Sequence, residues 1–233
     1  MKIITNETLI QQRTKLVRWT SMIGLAVLGA GLVASFYKEY YFWSVPALIV
    51  GFLMANISAY NANRYVKEPR ADQALEKALR GFDNSYQLFN YTGPVNHIML
   101  GPSALYVFAI KNQDGEIRRE GKRWRRNFNW KRILFFFNEE MLGNPAREAV
   151  TQTNQLHKKL DQVLDEDQIP PIEPVIVFTH PDAKLYWTET ADVSQDEIPA
   201  MLAKDLKKYL RARPHGSRID ADVAEKLVQV LKG

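Results

Sequence analysis

The sequence predicts a mixed α/β domain preceded by a two-helix transmembrane hairpin, and three observations carry that expectation. Two apolar runs, residues 96–100 and 105–110, are separated by Gly101-Pro102-Ser103 and followed by Asn112-Gln113-Asp114-Gly115. Each run is thus bounded by residues that favour turns, and together they read as a β-hairpin. The second run is rich in β-branched and aromatic residues and apolar at every position, which suits a strand covered on both faces. Residues 19–36 and 41–60 carry no charge and are each about long enough to cross the hydrocarbon core of a bilayer. Finally, Gly143-Asn144-Pro145 opens a helix over residues 146–164, with Asn144 as N-cap and Pro145 at the first helical position.

Length and composition bound the rest. A chain of 233 residues holds one ordinary domain with something attached, or two small ones. Hydrophobic residues make up 46% of it and cluster toward the N-terminal third, so the mean hydropathy of -0.30 averages over two unlike regions. A net charge of +5 permits contact with nucleic acid or anionic lipid and identifies neither. Cysteine is absent, which excludes disulfides, thiolate catalysis and cysteine zinc sites.

Taken in order, residues 1–18 form a polar arm with Lys2, Arg13, Lys15 and Arg18 against Glu7. The two apolar runs follow at once, one after the other, which argues against a cleavable signal peptide and for a transmembrane hairpin. Trp19, Tyr37, Tyr40, Tyr41, Trp43 and Tyr60 lie at its rims, where aromatic rings prefer the headgroup level. Basic residues crowd the arm and the far flank (Arg64, Lys67, Arg70), while Lys38 and Glu39 cancel in the connecting loop. The positive-inside rule then sets both termini and the globular part on the cytoplasmic side of the cell membrane. Ala26, Ala30 and Ala34 share one face of the first helix, a small-residue surface on which the second helix or another copy of the chain can pack. Residues 61–70 form a linker. The segment 71–79 reads as an amphipathic helix stopped by Gly81, and residues 86–91 as a short strand.

The hairpin over residues 96–110, ending on Lys111, resembles the core of the nuclease-related domain (NERD) family, within the restriction-endonuclease-like superfamily. The resemblance runs over about residues 69–190 and includes the order of elements: acidic helix, hairpin with lysine, basic hairpin with tryptophan, Asn-Pro helix, late apolar strand. It implies a restriction-endonuclease-like mixed sheet flanked by helices. In that family an Asp on the first strand and Glu-x-Lys on the second hold a divalent metal and orient the attacking water. Laid on this chain, the Asp position falls at Asn96, the Glu position at Ala109 and the Lys position at Lys111. A neutral amide is a weak ligand for a hard cation, and a methyl group is none. The resemblance therefore implies a kept fold and a lost metal site, with Asn96, Lys111 and Glu76 as vestigial site residues. No cofactor is expected. The alternative is a magnesium-dependent nuclease in which Glu76, Asp114 or Glu148 supplies relocated carboxylates. The family has a Gln soon after Asn-Pro, where this chain has Glu148, followed one turn later by Gln152.

Residues 116–119 and 122–126 read as a second hairpin around Gly121. Arg118, Arg119, Lys122, Arg123, Arg125, Arg126, Lys131 and Arg132 concentrate there, interleaved with Trp124, Phe128 and Trp130. Cations with stacking rings suit single-stranded nucleic acid. The same cations near a bilayer suit anionic headgroups. A solvated hairpin with Trp124 packed into the sheet explains them equally, and all three readings stand at this point. Residues 133–137 (ILFFF) are too apolar to stay exposed. Residues 175–179 read as a buried parallel strand and 185–188 as another. Helices over residues 198–212 and 221–231 lie in a C-terminal extension, 191–233. His97, His157, His180 and His215 show no metal-ligand spacing, and no phosphate-binding Gly-rich loop, nucleophile elbow or fixed-period repeat occurs. The functional expectation is a membrane-anchored, catalytically inactive domain of residues 71–190 acting as a binding or scaffolding module.

Overall fold

The computed structural model describes residues 1–121, 123–127, 142–187, 198–213 and 216–232. The chain divides into two compact units: Glu7–Arg70 is one, and Met1–Asn6 joins the residues described from Ala71 onward in the other.

In the first unit, α1 (Glu7–Ala34) and α2 (Tyr41–Tyr65) are both long and apolar enough to cross a membrane. Only 11% and 17% of their most apolar stretches is buried, the reverse of a core helix in a water-soluble protein. Both helices run past the apolar segments, α1 starting well before Trp19 and α2 continuing beyond Tyr60. Their contact surfaces repeat every seven residues. Gly24 and Gly31 are buried on α1, and Ser44, Gly51, Ser58 and Tyr65 on α2, the spacing of a left-handed helix pair. Small residues let the backbones close: a Cβ on Gly51 would lie 2.6 Å from Leu28 Cγ. The Ser58 hydroxyl crosses the seam to donate to the Val17 carbonyl at 3.1 Å. The seam therefore does not use the Ala26/Ala30/Ala34 face; Ala26 and Ala30 are exposed, because glycine permits a closer approach than alanine does.

The second unit is built on a six-stranded mixed sheet. Its strands are β1 (Lys2–Thr5), β2 (Gln87–Asn90), β3 (His97–Leu100), β4 (Leu105–Lys111), β7 (Ile172–Phe178) and β9 (Ala200–Leu202), in that spatial order. The central hairpin is β3–β4, antiparallel with Ile98 opposite Val107, and β4 pairs in parallel with β7. Alternation sends Tyr106 and Phe108 to one face and Leu105, Val107, Ala109 and Lys111 to the other. On the first face α3 (Ala71–Ala78) and α5 (Ala203–Ala212) bury Leu75, Leu206 and Leu210 against Leu88, Met99 and Phe108. On the second, α4 (Pro145–Leu160) and α6 (Ala221–Lys232) bury Leu156, Leu160, Leu227 and Leu231 against Ile98, Leu105 and Val107. A smaller sheet, in the order β6 (Arg123–Arg126), β5 (Gly115–Glu120) and β8 (Ala183–Trp187), turns at Gly121, whose φ of +58° suits a residue without Cβ.

Two segments differ from their sequence reading. Residues 2–5, expected within a polar arm, form β1 and satisfy the outer edge of β2 in parallel register. Residues 200–202, expected to be helical, pair with β7 for the same reason, and α5 starts only at Ala203. Within the C-terminal extension, α5 and α6 each close one face of the main sheet, with Leu206, Leu227 and Leu231 fully buried. Lys122, Lys131, Arg132, Phe128, Trp130, Thr188, His215 and the segment 133–137 lie outside the described residues.

Candidate functional site

Lys111 is the last residue of β4, beside Phe178 at the end of β7, and its carbonyl accepts from the Thr179 amide at 2.9 Å. Its side chain leaves the sheet on the α4 side. Asn144 caps that helix, its Oδ1 accepting from the Arg147 amide at 3.1 Å, and Pro145 occupies the first helical position. Glu148 then falls in the first turn, where a carboxylate is favoured by the helix dipole. It reaches Lys111, Nζ to Oε2 2.6 Å. The lysine side chain is 5% exposed and the glutamate 36%, so the pair opens to water only on its acidic side. Gln152, one turn on, donates from Nε2 to Glu148 Oε1 at 3.1 Å and is itself buried. Ala109, on the same face of β4, is fully buried against Ala149, Ile176 and Phe178.

Asn96 lies just before β3, two residues ahead of the partner of Val107, so it and Ala109 flank the same end of the hairpin. Its carbonyl accepts from the Tyr91 amide at 2.7 Å. His97 points to the opposite face, as alternation requires. There its Nδ1 meets Asn90 Oδ1 at 2.9 Å, and the Tyr91 ring stands edge-on to the imidazole, 4.8 Å between centroids. Asn90 Nδ2 donates to Thr5 Oγ1 at 3.2 Å and to Glu76 Oε1 at 3.4 Å. With its NH2 so committed, Asn90 turns its side-chain oxygen toward the imidazole. Sequence reasoning missed Asn90. Its signal was a polar residue directly after the apolar pair Leu88-Phe89, at the end of the strand Gln87–Asn90.

The carboxylates considered for a relocated metal site are bound to three different partners: Glu148 to Lys111, Asp114 to Arg126, and Glu76 to Asn90. Among the described residues no group of three or more His, Asp or Glu side chains comes together. A divalent cation that takes six or more oxygen ligands is not matched by a lone carboxylate already paired to a lysine, with a neutral amide at Asn96 and a methyl group at Ala109. The described residues do not fit the metal that the family resemblance implies.

Alternation divides the basic hairpin into two faces. Arg118, Arg123 and Arg125 face outward with Lys184 and Tyr186; Arg118 and Arg125 are 51% and 62% exposed. The Arg118 guanidinium lies 5.8 Å from the centre of the Tyr186 ring, and loose pairs link Arg118 to Glu116 (3.2 Å) and Arg125 to Glu120 (3.4 Å). Arg119, Trp124 and Arg126 take the other face. Trp124 packs against Phe178 (5.7 Å) and Trp187 (6.0 Å), Arg119 covers its ring, and Arg126 binds both the carboxylate and the carbonyl of Asp114.

A mixed sheet flanked by helices, with a lysine closing its central strand beside an Asn-Pro helix, defines an α/β domain of the nuclease-related class. A family model described as nuclease-related domain matches residues 63–179, and the chain belongs to this NERD family. No curated protein and no solved structure matches.

Proposed function

We propose that this chain is a membrane-anchored NERD-domain protein whose nuclease centre has become a structural ion pair, leaving a cytoplasmic-face module that binds or scaffolds rather than cuts. One observation carries the reading: Lys111, buried and held by Glu148 at 2.6 Å, stands beside the methyl of Ala109. A lysine that serves hydrolysis must meet water and a metal-bound phosphate. This one is closed off by the residue that the family resemblance replaces with glutamine. The alternative of relocated carboxylates finds no support in the separate partners of Glu76 and Asp114.

The membrane side of the proposal rests on connectivity. β1 and everything described from Ala71 onward belong to one unit, and the two long apolar helices lie between them in the chain. If each helix crosses once, both ends return to the same side. Arg13, Lys15 and Arg18 before the first apolar run, and Arg64, Lys67 and Arg70 after the second, assign that side to the cytoplasm. The outward face of the small sheet is the contacting surface, its partner anionic lipid headgroups. The inward turn of Trp124 takes one stacking ring from nucleic acid, whereas exposed arginines beside a tyrosine suit a headgroup layer. Self-association through the lipid-facing helices belongs to the same reading.

The test uses the full chain in nanodiscs with single- and double-stranded DNA and RNA, magnesium or manganese being supplied. No cleavage is expected from the natural sequence. Cleavage abolished by Lys111→Ala would overturn the proposal. The variant Asn96→Asp/Ala109→Glu/Glu148→Gln restores the family residues, and metal-dependent cleavage arising only there marks an eroded enzyme. Binding to anionic vesicles is expected to exceed binding to oligonucleotides; the opposite order replaces lipid with nucleic acid as the partner.

A further inference from the structure

Asn56 is a polar residue in an apolar setting. It stands five to six residues past the middle of the uncharged run 41–60, about 8 Å along the axis. Read as a span, α2 holds this amide inside a hydrocarbon layer whose half-thickness is about 15 Å. Five residues on from Gly51 is about 140° around the helix, so Asn56 faces away from the seam with α1, and it is exposed. Phe52, Leu53, Ile57 and Tyr60, all exposed, are its neighbours on the helix surface.

Its hydrogen bonding is incomplete. Nδ2 donates to the Phe52 carbonyl at 2.8 Å, which uses one of two N–H groups and leaves the side-chain oxygen with nothing to accept. In water such an amide is satisfied by solvent. In hydrocarbon it must find another polar group, and lipid tails offer none. The structure therefore points to a partner carrying a donor and an acceptor at the same depth. A second copy in the same orientation always meets that requirement, because a two-fold axis along the membrane normal brings residue 56 opposite residue 56. An amide is self-complementary, each oxygen accepting the N–H of the other.

We propose that a second copy of this chain docks on the Asn56 face of α2, the two amides hydrogen-bonded across the axis. The proposal rests on the reading of α2 as a membrane span. It moves self-association away from the Ala26/Ala30/Ala34 face of α1, whose side chains are methyl groups alone.

The cysteine-free chain makes the test clean. Ile49 lies seven residues before Asn56 and so on the same stripe of the helix. Oxidation of Ile49→Cys in native membranes is expected to give a species of twice the chain mass. Adding Asn56→Val should lower its yield about fivefold, and Asn56→Gln, which keeps the amide, should restore it. Leu25→Cys, on the lipid-facing side of α1, should give none. The proposal is overturned by no product from Ile49→Cys, by a yield indifferent to Asn56→Val, by equal product from Leu25→Cys, or by an adduct of another mass. Carbonate extraction of the same membranes separates the two layers of the argument. A retained but uncrosslinked chain overturns the docking alone, and a released chain overturns the span and the docking together.

Discussion

Lys111–Glu148 and Arg118–Glu116 are chemically alike, each a cation facing a carboxylate, at 2.6 and 3.2 Å. Their surroundings are not. The first cation is 5% exposed, at the buried end of β4; the second is 51% exposed on the open face of the small sheet. Burial makes the first cation part of the core, since its carboxylate cannot leave without stranding it. Exposure leaves an arginine free to exchange its carboxylate for a phosphate at little cost. The domain thus buries one cation at the end of the main sheet and carries its open charges on another sheet.

The comparison breaks most visibly at the buried pair. Glu148→Ala leaves Lys111 uncompensated in apolar surroundings, and because the pair is open to water on one side, the expected loss is about 2–3 kcal/mol, toward the low end for a buried ion pair. Thermal melts of the full chain in detergent should show the transition of the α/β unit falling by about 5–10 °C. Replacing both charges, Lys111→Met with Glu148→Gln, should recover most of that, because it removes the buried cation along with its partner. A transition unmoved by Glu148→Ala would mean that Lys111 reaches water, and the two pairs would no longer differ in kind.

How much of this was legible in the sequence depends on how local each signal is. β3 and β4 could be read because Gly101-Pro102-Ser103 punctuates them, and α4 because Asn144-Pro145 announces its start. β1 and β9 could not. Each is a very short strand without period whose partner, β2 or β7, is remote in sequence, and pairing with an open sheet edge overrode the local pattern. The seven-residue spacings Gly24/Gly31 and Ser44/Gly51/Ser58 are present in the sequence beside the alanine stripe, and composition does not say which small face meets the neighbouring helix. At the site, alternation already set Ala109 and Lys111 on one face and His97 opposite Asn96. The capped helix start brought Glu148 near. What the sequence could not show is that the lysine and that glutamate join, or that Arg126 and Trp124 turn inward, since only the three-stranded pairing decides which side of β6 meets Phe178.

Tyr106, buried at the other end of β4, separates burial from charge. Burial first, and Glu173 second, push its hydroxyl up to about 12, and burial raises Tyr86 and Tyr209 as well. In the unfolded chain a tyrosine ionises near pH 10, about its ordinary value. The folded pKa is the higher one, so this contribution to stability is fully present below about pH 10 and is lost as pH rises toward 12. Tyr106→Phe removes the ionisation. Its melting temperature should change little at neutral pH and fall less steeply than that of the natural chain above pH 10. Parallel alkaline curves would place the titrating group elsewhere. Unlike Lys111, this residue meets burial by staying neutral, and it needs no counter-charge.

The smallest effect belongs to the exposed pair. A double-mutant cycle on Arg118 and Glu116 should give a coupling below about 0.5 kcal/mol, because water solvates both groups and salt screens them. Glu116 has a second tie, the Asn127 side-chain amide, so it keeps a partner when the arginine leaves. The same substitution that is silent in stability should be loud in binding. Each basic residue close to an anionic leaflet is worth about 1 kcal/mol, so Arg118→Ala and Arg125→Ala should each weaken attachment of the domain face to anionic vesicles about fivefold and flatten its salt dependence. Glu116→Ala should strengthen it, since a competing carboxylate is gone. If Arg118→Ala instead lowered the melting temperature and left vesicle binding intact, the outer face would be held together by its own charges, as the buried site is, and the open surface would have to be sought elsewhere on the molecule.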